Sequence, residues 1–289
     1  MPTKKAKKSK YSKKTGQTIR RQCGAMQAHM RLLEEDPNFR TRQFNLEQAV
    51  RMRMATPGIL AAAKVTPTII PVVVHVVYNA KVENISMTQI KSQITVLNRD
   101  FRAKNPDKSK VPAVWKGFVA DANVQFVLAS KDPQGNPTNG VTRTKTTRTS
   151  FGTNDSVKFT ASGGHDAWPT NKYLNIWVCQ LSGGLLGYAQ FPGGPPKTDG
   201  VVITHTGFGT KGTASKPFHL GRTATHEIGH WLNLRHIWGD TEDCSGSDLV
   251  ADTPNAEGPN FGTPSFPKIL SRSKSLTFKV LPTSPARSL

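Results

Sequence analysis

Residues 226–236 read HEIGHWLNLRH, and this stretch decides the local fold and the chemistry of the chain. Two histidines four residues apart on a helix share one face, so His226 and His230 can reach the same small cation. Glu227 follows the first of them and can hydrogen-bond a water at that site. Catalytic zinc takes three protein ligands and keeps one open position, and His236 supplies the third nitrogen. The spacing therefore predicts a zinc site with Glu227 as general base.

The third histidine requires the helix to end. A continuous helix would carry His236 about 600° round the axis and about 9 Å beyond His230, away from the metal. Asn233 stands between them, and Asn is second to Gly in adopting the left-handed backbone that ends a helix sharply. We therefore predict a turn at Asn233. A chance His-Glu-x-x-His is the alternative, and the third histidine at this spacing makes it much rarer.

The charge of the chain is concentrated at its ends. The chain has 289 residues, 36% apolar content and a formal charge of +20, of which residues 1–64 carry +11 and residues 268–289 carry +5. Basic ends attract phosphate, but blocks of like charge are more often solvated tails, and few aromatic residues interleave with these. We expect no nucleic-acid site. A nucleic-acid-binding module at the ends, with a structural zinc, is the alternative.

The cysteine count and the hydropathy exclude several classes of protein. Three cysteines, Cys23, Cys179 and Cys244, form neither a disulfide framework nor a four-cysteine zinc cluster. No apolar run is long enough to span a membrane. Seven lysines lie among residues 4–14 without an apolar stretch behind them, so we predict no secretory signal peptide and leave the compartment unknown.

The middle of the chain alternates strand and helix patterns. Residues 71–78, PVVVHVVY, predict a central strand covered on both faces. Apolar residues that step by four, three and four from Ile90 to Phe101 predict an amphipathic helix. Further strands are predicted near residues 124–128, 141–149, 173–179 and 201–206. This order is typical of an α/β-like sheet domain, and its active-site helix follows the last strand.

Turn signals and composition divide the chain into three regions. Apolar residues at helical spacing predict two short helices between Ala25 and Met54, behind a low-complexity start that we expect to be disordered. Turn signals at residues 55–58 and 66–67 then interrupt the pattern. The predicted regions are a basic tail with a helical prosegment at 1–66, a main domain at 67–269 and a disordered tail at 270–289.

The zinc motif resembles that of the metzincin peptidases, with Asn233 where most members have Gly. Its surroundings resemble the pappalysin family over about residues 20–268, at 70–76, 186–192, 199–203, 237–240, Cys244 and 252–254. The resemblance implies an α+β metzincin domain with a twisted mixed sheet, backing helices and an active-site helix. It also implies a zinc endopeptidase that acts on proteins or peptides and is commonly secreted.

The resemblance gives Cys23 a role. Residues 21–24, RQCG, resemble the prosegment motif that places a thiolate on the zinc until the prosegment is removed. Zinc binds thiolate well, and Arg20 and Arg21 would favour the ionised thiol. A Cys23-latent zymogen is therefore expected. A stray cysteine in a flexible basic arm is the alternative.

Two further sites are implied by the same resemblance. One is a strand at the cleft edge that pairs with an extended substrate, and it includes Leu186, Gly187, Tyr188 and Ala189. An ordinary edge strand is the alternative for that segment. The other is a structural calcium site at Asp248 and Thr253, whose oxygens suit a hard cation.

The carboxyl-terminal part departs from the family pattern. Metzincins have a methionine-containing turn below the zinc and pappalysins a nearby tyrosine, yet no methionine follows the motif and the last tyrosine is Tyr188. The resemblance makes Cys244 the first half of a disulfide, and no cysteine follows it. We therefore expect an incomplete carboxyl-terminal subdomain, produced by a shifted reading frame or a misplaced gene end. A zinc-binding pseudo-protease without turnover is the alternative function.

Overall fold

The computed structural model describes residues 22–56, 66–250, 253, 255–259, 268–269 and 279–280. The predicted tail at 1–19 and most of the tail at 270–289 lie outside these ranges. Within these ranges the α-helices are α1 (Ala25–Glu35), α2 (Phe39–Ala55), α3 (Met87–Asp100) and α4 (Arg222–Trp231). The strands are β1 (Thr68–Tyr78), β2 (Val124–Leu128), β3 (Val141–Lys145), β4 (Leu174–Cys179), β5 (Gly187–Ala189), β6 (Val201–Thr204), β7 (Lys268–Ile269) and β8 (Lys279–Val280).

Short 3-10 helices connect these elements. They lie at Lys81–Glu83, Pro106–Lys110, Ala113–Phe118, Ser156–Lys158, Thr160–Ser162, Pro196–Thr198 and His205–Gly207. The two predicted amino-terminal helices, the helix from Ile90 and the predicted strands are confirmed, with boundaries shifted by a few residues.

A mixed sheet forms the centre of the fold. Its order is β2-β1-β4-β6-β5, and β3 pairs with the second half of β1 on the same side as β2. The pairs of β1 with β2, β3 and β4 and of β4 with β6 are parallel, whereas β5 is antiparallel to β6 and lies at the edge. The predicted α+β class with a mixed sheet is therefore confirmed.

The long strand β1 is buried on both faces, as its continuous apolar run predicts. Val72, Val74 and Val76 face a core that also contains Ile90 of α3 and Ile228 of α4. Successive side chains of a strand point to opposite faces, so Val77 packs instead with a second core that includes Trp177, Tyr188 and Val157. The helices α3 and α4 thus cover one face, and the 150–160 segment covers the other.

The amino-terminal helices α1 and α2 pack against the sheet edge. Ala25, Leu32 and Phe39 are buried with Phe191, which follows β5. Arg31 of α1 forms an ion pair with the buried Asp155. The segment predicted as an appendage therefore contacts the main domain closely where it is described, and the division at residue 66 stays a prediction.

Candidate active site

Helix α4 and the turn after it bring the three predicted histidines together. His226, His230 and His236 are each at most 5% exposed, and the Nε2 atoms of His226 and His230 are 3.1 Å apart. Asn233 has φ +75°, its N–H donates to the His230 carbonyl at 2.9 Å, and the N–H of Leu234 donates to Gly229 at 2.9 Å. The predicted turn is confirmed, and it returns His236 to the helix face.

Partners behind the histidines fix the orientation of two rings. Nδ1 of His230 lies 2.7 Å from the Leu234 carbonyl, and Nδ1 of His236 lies 2.6 Å from the Asp240 carboxylate. A ring that donates from Nδ1 presents the lone pair of Nε2 to a metal. Trp238 stacks on His236 with ring centroids 4.3 Å apart. Asp240 was not among the residues predicted from the sequence, although a carboxylate four residues after a metal ligand is a usable signal.

Burial keeps the His230 ring neutral. Burial first, and then the neighbouring His236, lower the pKa of His230 to about 4. A metal ligand must be the unprotonated imidazole, so this ring is ready to bind a cation at neutral pH.

The segment before α1 brings Cys23 to the same point. The N–H of Gly24 donates to the Gly187 carbonyl at 2.9 Å, and the N–H of Leu186 donates to the Gln22 carbonyl at 3.0 Å. Residues 22–24 therefore pair in parallel with the edge of β5. This pairing places the Cys23 sulfur so that it and one nitrogen of each histidine all lie within 4.8 Å of one another.

The four converging side chains fit zinc. One sulfur and three imidazole nitrogens are a ligand set of the kind that zinc binds with tetrahedral geometry. Burial first, and then the negative charge of Glu227, raise the pKa of the Cys23 thiol well above its ordinary value. A cation among the imidazoles acts in the opposite direction because it stabilises the thiolate. Arg20 and Arg21, which we expected to favour ionisation, lie outside the described residues.

Glu227 lies beside the cluster and below the edge strand. It is 1% exposed, and its Oε2 accepts a hydrogen bond from the Cys23 sulfur at 3.6 Å. A Cβ on Gly187 would lie 2.8 Å from Cγ of Glu227 and 2.8 Å from the Val202 carbonyl oxygen. Only a glycine at 187 lets the edge strand pass this close to the carboxylate.

The predicted edge-strand residues occupy the expected place in the sheet. Gly187, Tyr188 and Ala189 form β5, and the Leu186 carbonyl just before it accepts from the Thr204 N–H at 2.9 Å. The Tyr188 side chain is fully buried and faces Lys158, so it belongs to the core. The free edge of β5 is occupied by residues 22–24, and pairing with a substrate stays a prediction.

The predicted calcium residues lie in a separate loop. Asp248 is 7% exposed, and its Oδ1 accepts from the Val250 N–H at 3.0 Å. The N–H of Thr253 donates to the Val250 carbonyl at 3.2 Å. Asp252 lies outside the described residues. Within the described ranges, three or more His, Cys, Asp or Glu side chains converge only at the Cys23 cluster, so calcium stays a prediction.

The described helices also bear on the membrane prediction. None of the helices in the described ranges combines the length and the apolar character that crossing a bilayer requires.

Comparisons with known proteins agree with this geometry. The family model described as pregnancy-associated plasma protein-A matches residues 158–266. An extracellular metalloprotease of Arthroderma benhamiae is 28% identical over 238 residues, covering 78% of this chain and 72% of that protein. One of Pyricularia oryzae is 29% identical over 251 residues, covering 84% of this chain and 73% of that protein.

Two solved structures extend the likeness over most of the chain. A mutant of Tannerella forsythia promirolysin is 46% identical, with a TM-score of 0.78 over 89% of this chain and 84% of that chain. Mature mirolysin in complex with a cleaved peptide is 53% identical, with a TM-score of 0.70 over 74% of this chain and 82% of that chain. With this fold, this site and these relatives, the chain belongs to the pappalysin family of metalloproteases.

Proposed function

We propose that this chain is a zinc-dependent endopeptidase made as a latent zymogen, with Glu227 as general base and Cys23 as the latency switch. The observation that carries the proposal is the convergence of the Cys23 sulfur and three histidine nitrogens within 4.8 Å, beside a buried carboxylate. His226, His230 and His236 would hold the metal, and the Cys23 thiolate would take the fourth position.

The chemistry divides between the metal and Glu227. A bound zinc ion would polarise the scissile carbonyl and lower the pKa of a bound water to about 7. Glu227 is placed to accept the proton of the attacking water and to pass it to the amine that leaves when the C–N bond breaks. Its burial keeps bulk water away from the carboxylate, which strengthens its hydrogen bonds.

The latent state would follow from the same contacts. Cys23 lies where an attacking water would have to approach Glu227, and residues 22–24 fill the edge of β5 that a substrate backbone would pair with. Removal of the prosegment would free both positions at once. The promirolysin and mature mirolysin structures, which resemble this chain, support such a pair of states here.

Location and a second metal complete the proposal. The curated relatives are named extracellular metalloproteases, which supports an extracellular location for this chain. A structural calcium ion at Asp248 and Thr253 is proposed from the family resemblance, since the oxygens of these side chains suit it.

The test uses the full-length chain, loaded with zinc and then converted by limited trypsin digestion. We expect turnover of a quenched fluorogenic peptide by the converted wild type and its loss in Glu227→Ala, with one zinc per chain retained in both by metal analysis. Loss of zinc from Glu227→Ala, or turnover that survives the substitution, would contradict the role of Glu227. A Glu242→Ala variant, which removes a carboxylate elsewhere, serves as the control.

A further inference from the structure

Helix α2 crosses from the edge strand to the zinc-motif turn. Nε of Arg42 donates to the Gly193 carbonyl at 2.6 Å, and Gly193 follows β5 and Phe191. Glu47 accepts a hydrogen bond from Nδ2 of Asn233 through its Oε1 at 2.7 Å. Arg42 and Glu47 are five residues apart and so separated by about 7.5 Å along the helix. Helix α2 thus makes one polar contact with the segment after β5 and another with the turn between two of the histidines.

The side chain of Asn233 is not required for the turn that it makes. The turn depends on φ +75° and on the main-chain bond to His230, and a glycine supports both equally well. The amide group of Asn233 is therefore a hydrogen-bond donor that the turn does not need. It lies three residues after one metal ligand and three before another, and Glu47 of the prosegment covers it.

A positively charged residue also lies close to Asn233 in the sequence. Arg235 follows two residues later, and among the described residues its buried Nε has no hydrogen-bond partner. Its positive charge is one of the causes that lower the pKa of His29 in α1. An amide N–H binds a carboxylate more strongly than a neutral carbonyl, and a nearby guanidinium adds to that preference.

We propose that Asn233, with Arg235, determines specificity by binding an acidic side chain of the protein substrate, and that Glu47 occupies this subsite in the full-length chain. The proposal rests on the proposed function, because it assigns a substrate feature to the same cleft. In the full-length chain, the Glu47 carboxylate would occupy the position that a substrate carboxylate takes after conversion.

The experiment compares matched peptides on the trypsin-converted chain. One glutamate is moved along an otherwise neutral fluorogenic peptide, and each peptide is paired with a version that carries glutamine at that position. We expect wild type to favour glutamate over glutamine in kcat/KM by about tenfold at one position. In Asn233→Gly, which keeps the left-handed turn, the ratio should fall to about one. Any general loss of activity cancels in this ratio.

A second variant and a binding measurement make the test decisive. Asn233→Asp tolerates the same backbone and replaces the donor by a negative charge, so glutamine should become the preferred residue. A wild-type ratio near one at every position, or a preference that persists in Asn233→Gly, overturns the proposal. Fluorescence anisotropy of the same peptide pairs on converted Glu227→Ala tests the subsite without turnover. Selective glutamate binding without any turnover by wild type would contradict the proposed function and support the subsite.

Discussion

The sulfur of Cys23 lies 3.6 Å from Oε2 of Glu227, although 204 residues separate the two in the chain. The contact depends on two main-chain hydrogen bonds, which join residues 22 and 24 to the edge segment at 186–187. One short pairing therefore places the thiol beside both the histidines and the Glu227 carboxylate.

Replacement of Cys23 by alanine should release activity in the full-length chain. The thiolate would no longer occupy the fourth ligand position, and we expect basal peptide hydrolysis to rise by about tenfold or more, since one metal–sulfur bond is worth more than 1.4 kcal/mol. The measurement is initial-rate hydrolysis before any trypsin treatment. Cys244→Ala removes a thiol outside the zinc cluster and should leave latency unchanged. Equal basal activity of Cys23→Ala and wild type would show that Cys23 is not the latency switch.

A methyl group at position 187 should displace the Glu227 carboxylate or the strand beside it. In Gly187→Ala the new Cβ meets Glu227 and the Val202 carbonyl at 2.8 Å, so the strand or the carboxylate has to move. Displacements of about 1 Å cost on the order of 100-fold, and we expect kcat/KM of the converted enzyme to fall by about that factor while zinc content holds. Gly117→Ala is the matched control, because nothing lies within 4 Å of a Cβ built there. Full activity of Gly187→Ala would show that the close approach is not needed.

Asp240 should matter for metal retention. It bonds Nδ1 of His236 at 2.6 Å, and loss of such a partner weakens metal binding by about 10- to 100-fold. Asp240→Asn keeps the shape of the side chain and removes its charge. We therefore expect a fluorescent chelator to remove zinc from this variant faster and to a greater extent than from wild type. Asp243→Asn lies in the same loop and bonds Ser245 instead, and it should retain zinc like wild type. Indistinguishable chelator titrations for Asp240→Asn and wild type would refute this role.

Docking of α1 should weaken as the pH falls. His29 contacts the rings of Phe39 and Phe191, and burial first, then Arg235 and Arg40, lower its pKa to about 4, with Asp240 acting in the opposite direction. The detached helix has the ordinary pKa of about 6.5 and binds the proton first, so docking is strongest above pH 6.5. It declines between about pH 6.5 and pH 4 by up to about 3 kcal/mol.

The His29→Phe variant isolates this titration from those of other histidines. It keeps an aromatic ring between Phe39 and Phe191 but carries no proton. We expect hydrogen-exchange protection of residues 25–35 to fall by about 20-fold more in wild type than in His29→Phe between pH 7 and pH 5. Comparison of the two proteins at each pH removes the intrinsic pH dependence of amide exchange, because both proteins share it. The same pH response in both would exclude His29 as the cause.

Features that depend on neighbouring residues could be predicted from the sequence. The spacing of His226 and His230 defines a helix face, and Asn233 predicts the turn that returns His236, because backbone preferences act within a few residues. The apolar period from Ile90 predicts α3, and the run at residues 71–78 predicts the central strand for the same local reason. The family resemblance supplied Cys23 and the edge strand.

Contacts between distant segments were decided by the tertiary structure alone. Glu47 bonds to Asn233 from 186 residues away, and Gly187 closely approaches Glu227. Neither contact follows from a local sequence pattern, because its two residues lie far apart in the chain. The sequence by itself determined a helix and turn able to bind one metal. Folding decided what surrounds that helix and turn, because burial and long-range packing bring the Cys23 thiol, the Gly187 edge and the Glu47 contact to them.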